Sequence, residues 1–390
     1  MSNEHLTYFK VENFKRFDSL ELTDIGQFNL IVGDNNVGKT SLLEALLFDV
    51  DRKKCLSNLH QTLFLKGLNI KPILIYGHRG EIVEIRYPDE NFLRYIFNEL
   101  HQTLIFTFNI VDKRDLGGTV SIEMIHSSQI TDDLLESGPD VFFTGHTTDN
   151  RYLAFESSGG YNFEYDEKTA SGGPAPIGIT EYAGLYEHIV NQEKEGGMPF
   201  ISTSINNRDD LSKAYFEQVD LSRKEKKQLI EVMSFLLPEI EDFEVRKIAG
   251  EDQLLVGIKE RDELMPISTF GESVTRATQI MLEISKYRGK RLMIDEIDTG
   301  IHYSRMKNFL KTVFQVAQKN DVQLFMTTHS RECQQAFAEV FEESDMAQYQ
   351  EKVRQFTLVE KQDGQVAAIT RNFGQLEFAL QTDNETRGGR

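Results

Sequence analysis

Gly33-Asp34-Asn35-Asn36-Val37-Gly38-Lys39-Thr40 is the stretch that decides the fold, because it matches the pattern G-x-x-x-x-G-K-[ST] at every position. The apolar run before it, residues 28–32, predicts a buried strand, and leucines at helical spacing after Thr40 predict a helix. Successive N–H groups of such a loop converge on phosphate oxygens, and the positive end of the helix points at the same anion. The stretch therefore predicts a phosphate-binding P-loop in an α/β fold.

Several residues of the P-loop are candidate ligands of a nucleotide. Lys39 would neutralise the β and γ phosphates, and the hydroxyl of Thr40 would bind Mg²⁺. The candidate phosphate-binding residues are Gly33, Asn35, Asn36, Gly38, Lys39 and Thr40. A glycine turn that merely enters a helix is the alternative. The strand before the loop and the helix after it favour a nucleoside triphosphate site, with ATP and Mg²⁺ as the expected ligands.

A second short apolar strand ends in two carboxylates, Asp295 and Glu296. Ligands of open α/β sheets bind at the carboxyl ends of the strands, so Asp295 is placed to hold Mg²⁺ through water. Glu296 would then orient and deprotonate an attacking water. Two acids after a strand could also cap the next helix. Their combination with the P-loop favours a hydrolytic site.

Two further segments are candidates for contact with phosphate. The strand 323–328 delivers His329 to the same sheet edge, where it could hydrogen-bond a γ phosphate or the attacking water, although an isolated histidine there is more often structural. The segment Ser268–Ser273 (STFGES) precedes an amphipathic helix, and its hydroxyl, its glycine and the helix N-terminus could form an anion cradle. An ordinary N-cap with Glu272 in the first turn explains the same segment equally well.

Composition restricts the class of protein. The chain has 390 residues, a formal charge of -19 and two cysteines, Cys55 and Cys333, which do not indicate a disulfide framework or a zinc site. No stretch approaches the run of about eighteen uncharged apolar residues that a membrane span needs, and the N-terminus lacks an apolar signal core. We expect a globular cytoplasmic protein. Its acidity weighs against DNA binding, except through a local basic patch, and suits a basic protein partner.

The remaining chain predicts alternating regions of strand and helix. Residues 72–204 indicate β structure with one helical stretch at 90–102, and the glycine-rich residues 156–178 indicate an exposed excursion. Residues 207–237 predict two charged helices. From Leu254–Ile258 onward, strands and helices alternate, which predicts a parallel sheet covered by helices. Residues 356–370 predict a hairpin around Asp363-Gly364, and the tail from about Gln381 is polar.

In their order and spacing, FKVENFKRF (Phe9–Phe17), the P-loop, STFGES, IDEIDTGIHYS (Ile294–Ser304) and TTHS (Thr327–Ser330) resemble ABC-type ATPases. They are most similar to the RecF/SMC-like branch and to the ATPase portion of OLD-family proteins. The resemblance implies a P-loop NTPase with an ABC-type head: a parallel core sheet flanked by helices, an antiparallel β subdomain and a helical subdomain. The implied parts are an N-terminal lobe at 1–204, a helical subdomain at 205–245 and a C-terminal lobe at 246–380, with both lobes in one head.

The resemblance also implies roles for individual residues. Nucleotide is held between the P-loop of one subunit, extended to Ser41, and the signature-like segment of another, so that Ser268 and Gly271 reach the partner's γ phosphate. Glu296 is the implied catalytic base, and His329 matches the switch histidine. Asp298 lies where a dimer-contacting loop follows the base. The signature-like segment departs from the LSGGQ form of transporters, and Gln61 is a candidate for the glutamine that follows the first helix.

The function implied is an ATPase that forms homo-oligomers through shared ATP sites. It would regulate or scaffold a separate effector, such as a nuclease or toxin, in bacterial anti-phage defence, with DNA or a phage protein as the trigger and no membrane involved. The chain ends about sixty residues after His329, which we expect to leave no room for a nuclease domain. A RecF-like DNA-repair ATPase that clamps DNA as a dimer is the alternative. A GTPase switch is a weaker one, because Asp112–Asp115 (DKRD) only partly mimics N-K-x-D.

Overall fold

The computed structural model describes residues 5–48, 73–76, 82–86, 104–111, 116–126, 141–146, 151–159, 199–202, 208–220, 222–248 and 250–382. The strands are β1 (His5–Phe14), β2 (Phe17–Leu22), β3 (Phe28–Gly33), β4 (Ile73–Tyr76), β5 (Ile82–Arg86), β6 (Leu104–Val111), β7 (Leu116–His126), β8 (Val141–His146), β9 (Arg151–Gly159), β10 (Phe200–Ile201), β11 (Ile240–Ile248), β12 (Glu251–Ile258), β13 (Met265–Pro266), β14 (Arg291–Ile294), β15 (Gln323–Thr327), β16 (Val353–Glu360) and β17 (Val366–Asn372). The α-helices of these residues are α1 (Lys39–Ala45), α2 (Arg208–Tyr215), α3 (Arg223–Met233), α4 (Glu272–Lys286), α5 (Tyr303–Lys319), α6 (Arg331–Glu342) and α7 (Phe373–Gln381).

A six-stranded sheet in the order β10-β14-β15-β3-β16-β17 forms the centre of the molecule. Every neighbouring pair is parallel except β16 and β17. Strands β3, β14 and β15 are buried at every residue, as expected for strands that are covered on both faces. The parallel sheet predicted from the alternation of strands and helices is therefore present, and it combines strands from both ends of the chain.

Helices α5 and α6 cover this sheet through aromatic side chains. The ring of Phe28 on β3 lies 5.1 Å from Phe314 of α5 and 5.5 Å from Phe341 of α6, measured between centroids. The buried residues of α5 recur at helical spacing: Met306, Phe309, Leu310, Val313, Phe314 and Ala317. Burial of these aromatic faces fixes the helices against the strands that carry the predicted site.

The N-terminal part contains an eight-stranded sheet in the order β2-β1-β6-β7-β9-β8-β5-β4, antiparallel except between β5 and β8. This is the antiparallel β region that the sequence predicts. One boundary was wrong, because residues 156–159 continue β9 and pair with residues 118–121 of β7 rather than beginning an excursion. Small serine and glycine residues fit a strand when a neighbour supplies the hydrogen bonds. The predicted helical stretch at 90–102 lies outside the described residues.

A second correction concerns Leu254–Ile258, which were expected to open the parallel sheet. They belong to β12, which pairs antiparallel with β11 and β13 in a separate three-stranded sheet. Gly250, at φ 93°, lies in the turn where Ile248 pairs with Glu251, so a tight hairpin places β12 beside β11. A buried apolar run alone does not reveal the direction of its partner strand.

The two helices expected within 207–237 are α2 and α3, which are separated by one π-helical turn, Phe216–Asp220. Ser222 begins α3, and its side chain accepts the N–H of Glu225, as an N-cap does. The predicted C-terminal hairpin is β16–β17, and β16 additionally pairs with β3. Within the described part of the chain, no helix has the length and apolarity that crossing a bilayer requires. The three-part division at residues 204 and 245 stays a prediction.

Candidate nucleotide site

Three parallel strands bring the sequence motifs to one edge of the central sheet. Strands β3, β14 and β15 end at Gly33, Ile294 and Thr327, and their register aligns these carboxyl ends. The P-loop, the pair Asp295-Glu296 and His329 each follow one of these strands directly. In open α/β sheets, ligands bind at this edge, so the topology gathers the predicted residues where a ligand is expected.

The P-loop is held tightly by the rest of the chain. Gly38, at φ 105°, begins α1, and a Cβ placed there would lie 2.8 Å from the ring of Phe17. Arg16 donates a hydrogen bond to the backbone carbonyl of Asn36, which itself has φ 64°. The end of the β1–β2 hairpin thus presses on the loop, and only glycine fits at position 38. Asn35 and Asn36 are exposed at the tip, and Ser41 is half-buried on α1.

Lys39 is buried and bound to its own loop. Its ammonium donates to the carbonyls of Gly33 and Asp34, at 2.8 Å each. Burial lowers the pKa of Lys39 to about 8, while the negative charges of Asp295, Asp34 and Glu296 act in the opposite direction. The ammonium group of Lys39 therefore lies inside the loop, and its N–H donors could bind phosphate oxygens in place of the two carbonyls.

Thr40 and Asp295 form a pair that fits Mg²⁺. The hydroxyl of Thr40 lies 3.2 and 3.3 Å from the two carboxylate oxygens of Asp295, and Asp295 is buried. Thr327 donates its own hydroxyl to the same carboxylate at 2.7 Å. A hydroxyl beside a carboxylate is the oxygen donor set that Mg²⁺ prefers, with nucleotide phosphates and water completing the shell.

Glu296 and His329 lie side by side and reach solvent. His329 Nε2 is 3.9 Å from Glu296 Oε1, and the two side chains are 42% and 43% exposed. Thr299 donates to the other carboxylate oxygen of Glu296 at 3.1 Å. Glu296 has φ 47°, in the left-handed region that non-glycine residues rarely adopt. The two groups can therefore share a water molecule, and the backbone holds Glu296 in an unusual conformation.

The signature-like segment is not joined to the P-loop. Ser268 lies in a single 3₁₀ turn, Ile267–Phe270, and Gly271 begins α4 at φ 88° and ψ 170°. Among the described residues, no hydrogen bond connects Ser268 or Gly271 to residues 33–40, and no atom beyond the two chain neighbours of Gly271 lies within 4 Å of a Cβ built on it. Glu272 occupies the first turn of α4, as the N-cap alternative expects, but the N-cap is Gly271 and no side chain caps the helix. A role for Ser268 and Gly271 stays a prediction.

Other candidates from the sequence have mixed outcomes. One carboxylate oxygen of Asp298 is buried without a hydrogen-bond partner in the described part of the chain. Gln61 and Asp112–Asp115 lie outside the described residues. Sequence reasoning assigned no role to Thr327, although TTHS contains it, or to Arg276 of α4, whose guanidinium donates to the carbonyl of Asp295 at 2.8 Å. The sequence pattern of an amphipathic helix does not indicate that one of its arginines donates a hydrogen bond to a backbone carbonyl far along the chain.

Known proteins with similar sequences include two relatives of this chain. An "ATP/GTP phosphatase" of Helicobacter pylori is 24% identical, with 97% of this chain and 99% of that protein aligned. An uncharacterized protein of Methanocaldococcus jannaschii is 28% identical over 134 residues, which cover 31% of this chain and 61% of that protein.

Among solved structures, an Smc head bound to the C-winged helix domain of ScpA is 11% identical with a TM-score of 0.48, covering 94% of this chain and 98% of the other. An SMC head domain from Thermotoga maritima is 12% identical with a TM-score of 0.44, covering 94% and 99%. Since neither TM-score reaches 0.5, the fold assignment rests on the strand order, the P-loop and the family match.

A family model described as "AAA domain, putative AbiEii toxin, Type IV TA system" matches residues 28–332. The match begins at β3 and ends just after His329, so it includes each motif gathered at the sheet edge. Together with the central sheet, it confirms the predicted P-loop NTPase fold and the prediction of an ATPase. The chain therefore belongs to this AAA-domain family.

Proposed function

We propose that this protein binds ATP on the P-loop and hydrolyses it with Glu296 as the general base. The observation that carries the proposal is the set of hydroxyl and carboxylate contacts from Thr40 through Asp295 to Thr327, which links the P-loop to the turn that holds Glu296. A purely structural P-loop would not need an exposed carboxylate and an exposed histidine at the same edge.

Binding begins with groups that are already in place. The backbone N–H groups of Gly33–Ser41 surround the β and γ phosphates, and Lys39 exchanges the carbonyls of Gly33 and Asp34 for phosphate oxygens. Thr40 and Asp295 are the residues that would hold Mg²⁺, which supplies charge neutralisation at the phosphates. The buried position of Lys39 strengthens its attraction to the incoming anion.

Hydrolysis then needs a water aligned with the γ phosphate. Glu296 accepts a proton from that water, and His329 hydrogen-bonds the water or the γ phosphate. The 3.9 Å separation of the two side chains leaves them near enough to act on one molecule. The exposed position of both groups is consistent with a site that is closed by a second surface.

That second surface is the signature-like segment of another copy. Gly271 adopts a backbone conformation that only glycine populates readily, and in the described part of its own chain nothing beyond its two neighbours lies within 4 Å of a Cβ built on it. Ser268 and Gly271 of one copy would contact the γ phosphate bound by the other, which makes the protein a homo-oligomer with shared sites. ATP turnover is then a means of making and breaking the assembly.

The output of this cycle is control of a separate effector. The description of the family names a putative toxin and a type IV TA system. The formal charge of -19 suits a basic protein partner better than a nucleic acid. We place the protein in bacterial anti-phage defence, as its resemblance to defence ATPases implies, with DNA or a phage protein as the trigger.

Glu296→Gln tests the base directly. The variant should bind ATP like the wild type, lose turnover by about a hundredfold or more, and accumulate as an ATP-bound oligomer. Glu283→Gln, which changes a carboxylate in the last turn of α4, is the control. Unchanged turnover in Glu296→Gln would remove Glu296 as the base.

Two binding measurements separate the neighbouring functions. The Helicobacter pylori relative is named for both ATP and GTP, so a competition experiment between the two nucleotides is needed. We expect this protein to prefer ATP, and a preference for GTP would support a nucleotide switch instead. DNA binding should be weak at every salt concentration. Tight binding that falls steeply with salt would support a DNA-repair ATPase.

A further inference from the structure

A buried arginine connects the signature-like segment to the turn that carries Glu296. Arg276 lies one turn into α4 and is only 8% exposed. Its guanidinium donates to the carbonyl of Asp295 at 2.8 Å and to the carbonyl of Ser202 at 3.0 Å. These two carbonyls follow the last residues of β14 and β10, so one side chain of α4 spans the carboxyl ends of two neighbouring strands.

The peptide group between Asp295 and Glu296 is held at both ends. Arg276 binds its oxygen, and the hydroxyl of Thr327 accepts its N–H at 2.8 Å. This peptide precedes the left-handed residue Glu296, at φ 47°. A conformation of that kind persists only when its surroundings fix it, and here Arg276 and Thr327 are the groups that do so.

A second contact joins the same two regions. A Cβ placed on Gly300 would lie 3.3 Å from Cγ of Glu272 and 3.6 Å from the backbone nitrogen of Ser273. The loop that follows Glu296 therefore touches the first residues of α4. Helix α4 meets the Glu296 turn on both sides, so it cannot shift along its axis without disturbing that turn.

We propose that Arg276 is a positioning residue that transmits the state of Ser268–Gly271 to Glu296 within the same chain. This inference rests on the proposed function, in which Ser268–Gly271 contact ATP held by another copy. ATP bound at one shared site then determines, through α4, the position of Glu296 at the next site. The consequence is positive cooperativity of turnover in ATP concentration.

The test compares two buried arginines that differ in location. Arg291, at the other end of β14 and 7% exposed, donates to the carbonyls of Leu46 and Phe48 at 2.8 and 2.6 Å. Arg276→Gln should lower kcat by about tenfold or more while changing the Kd for ATP by less than about threefold. Arg291→Gln should lower thermal stability similarly but change kcat by less than about twofold. Equal loss of kcat in both variants would overturn the inference.

Two further measurements separate positioning from a general packing effect. In the Glu296→Gln background, measured by single turnover with labelled ATP, Arg276→Gln should cause no additional loss, because it acts through Glu296. The Hill coefficient for ATP should fall toward one in Arg276→Lys, which keeps the charge and loses the two-carbonyl bridge. An additive loss, or an unchanged Hill coefficient, would contradict transmission.

The design distinguishes the two levels of the proposal. If Glu296→Gln retains full turnover, the proposed function fails at its base. If Glu296→Gln is inactive and Arg276→Gln keeps the wild-type kcat, only the role of Arg276 fails. Should Arg276→Gln not fold, Arg276→Lys gives the same comparison of kcat with Kd.

Discussion

Two glycine turns at helix starts, Gly38 of the P-loop and Gly271 of the signature-like segment, have opposite surroundings. Both have positive φ, at 105° and 88°, and both begin a helix without a side-chain cap. Around Gly38 the chain is crowded, with the ring of Phe17 at 2.8 Å from a built Cβ. Around Gly271, no atom of the described residues beyond its two chain neighbours lies within 4 Å of a built Cβ.

The difference fits the proposed function, in which one chain completes only the P-loop half of the site. Packing by Arg16 and Phe17 accounts for the glycine at 38, because any side chain would collide. No such packing accounts for the glycine at 271, although its backbone conformation is one that only glycine adopts readily. Three turn glycines, Gly250, Gly289 and Gly364, are equally open, so openness alone does not identify an interface. What sets Gly271 apart is its place in the signature-like segment, which the proposed function assigns to contact with a second copy.

Gly38→Ala should give the largest effect. The methyl group would collide with Phe17 in a backbone that already disfavours alanine, so we expect a loss of about 2–4 kcal/mol in unfolding free energy. ATP binding should fall below detection in calorimetry, because the N–H groups of the loop lose their arrangement. Wild-type affinity for ATP in this variant would contradict the claim that packing around Gly38 holds the P-loop in its binding conformation.

Gly271→Ala should act on assembly and turnover rather than on nucleotide binding. No collision is present, so the cost is backbone strain alone, about 1–3 kcal/mol. The Kd for ATP of the single chain should stay near the wild-type value, and turnover should fall by about tenfold because the shared site closes poorly. Light scattering with ATP would show less oligomer. Full turnover with normal assembly would remove Gly271 from the site.

The pH dependence of ATP binding should reveal the titration of Lys39 in the P-loop. Its pKa is lowered to about 8, mainly by burial, so the ammonium is charged below pH 8 and loses its proton above it. Because phosphate binds the charged form, the Kd for ATP should rise by about fivefold between pH 8 and pH 9. Lys39→Arg should bind more weakly at every pH and show no such rise. A flat profile for the wild type would contradict a buried, titrating Lys39.

Much of the site could be predicted because its signals are local. The P-loop is one continuous pattern, and the strands before Gly33, Asp295 and His329 are short apolar runs that need both faces covered. Parallel strands place their carboxyl ends together, so three local predictions gave one site. The contact between Thr40 and Asp295 follows from that topology.

The features that were missed depend on contacts between distant parts of the chain. The pairing of β16 with β3 joins residues 353–358 to residues 28–33, and a hairpin pattern at 356–370 says nothing about a third strand. The prediction that β12 belongs to the parallel sheet was wrong because a buried apolar run does not indicate which strand it pairs with. Arg276 reaches Asp295 only through the packing of α4, which a helical pattern does not specify.

The shared site is tested most directly by mixing two variants that are each impaired in a different half of the site. Lys39→Ala impairs the P-loop and keeps the signature-like segment intact. Gly271→Ala impairs the signature-like segment and keeps the P-loop intact. If the site is formed between copies of a dimer, a one-to-one mixture contains mixed dimers with one intact site, and turnover should recover to about a quarter of the wild-type value. Turnover that stays at the sum of the two separate variants would contradict a site shared between chains.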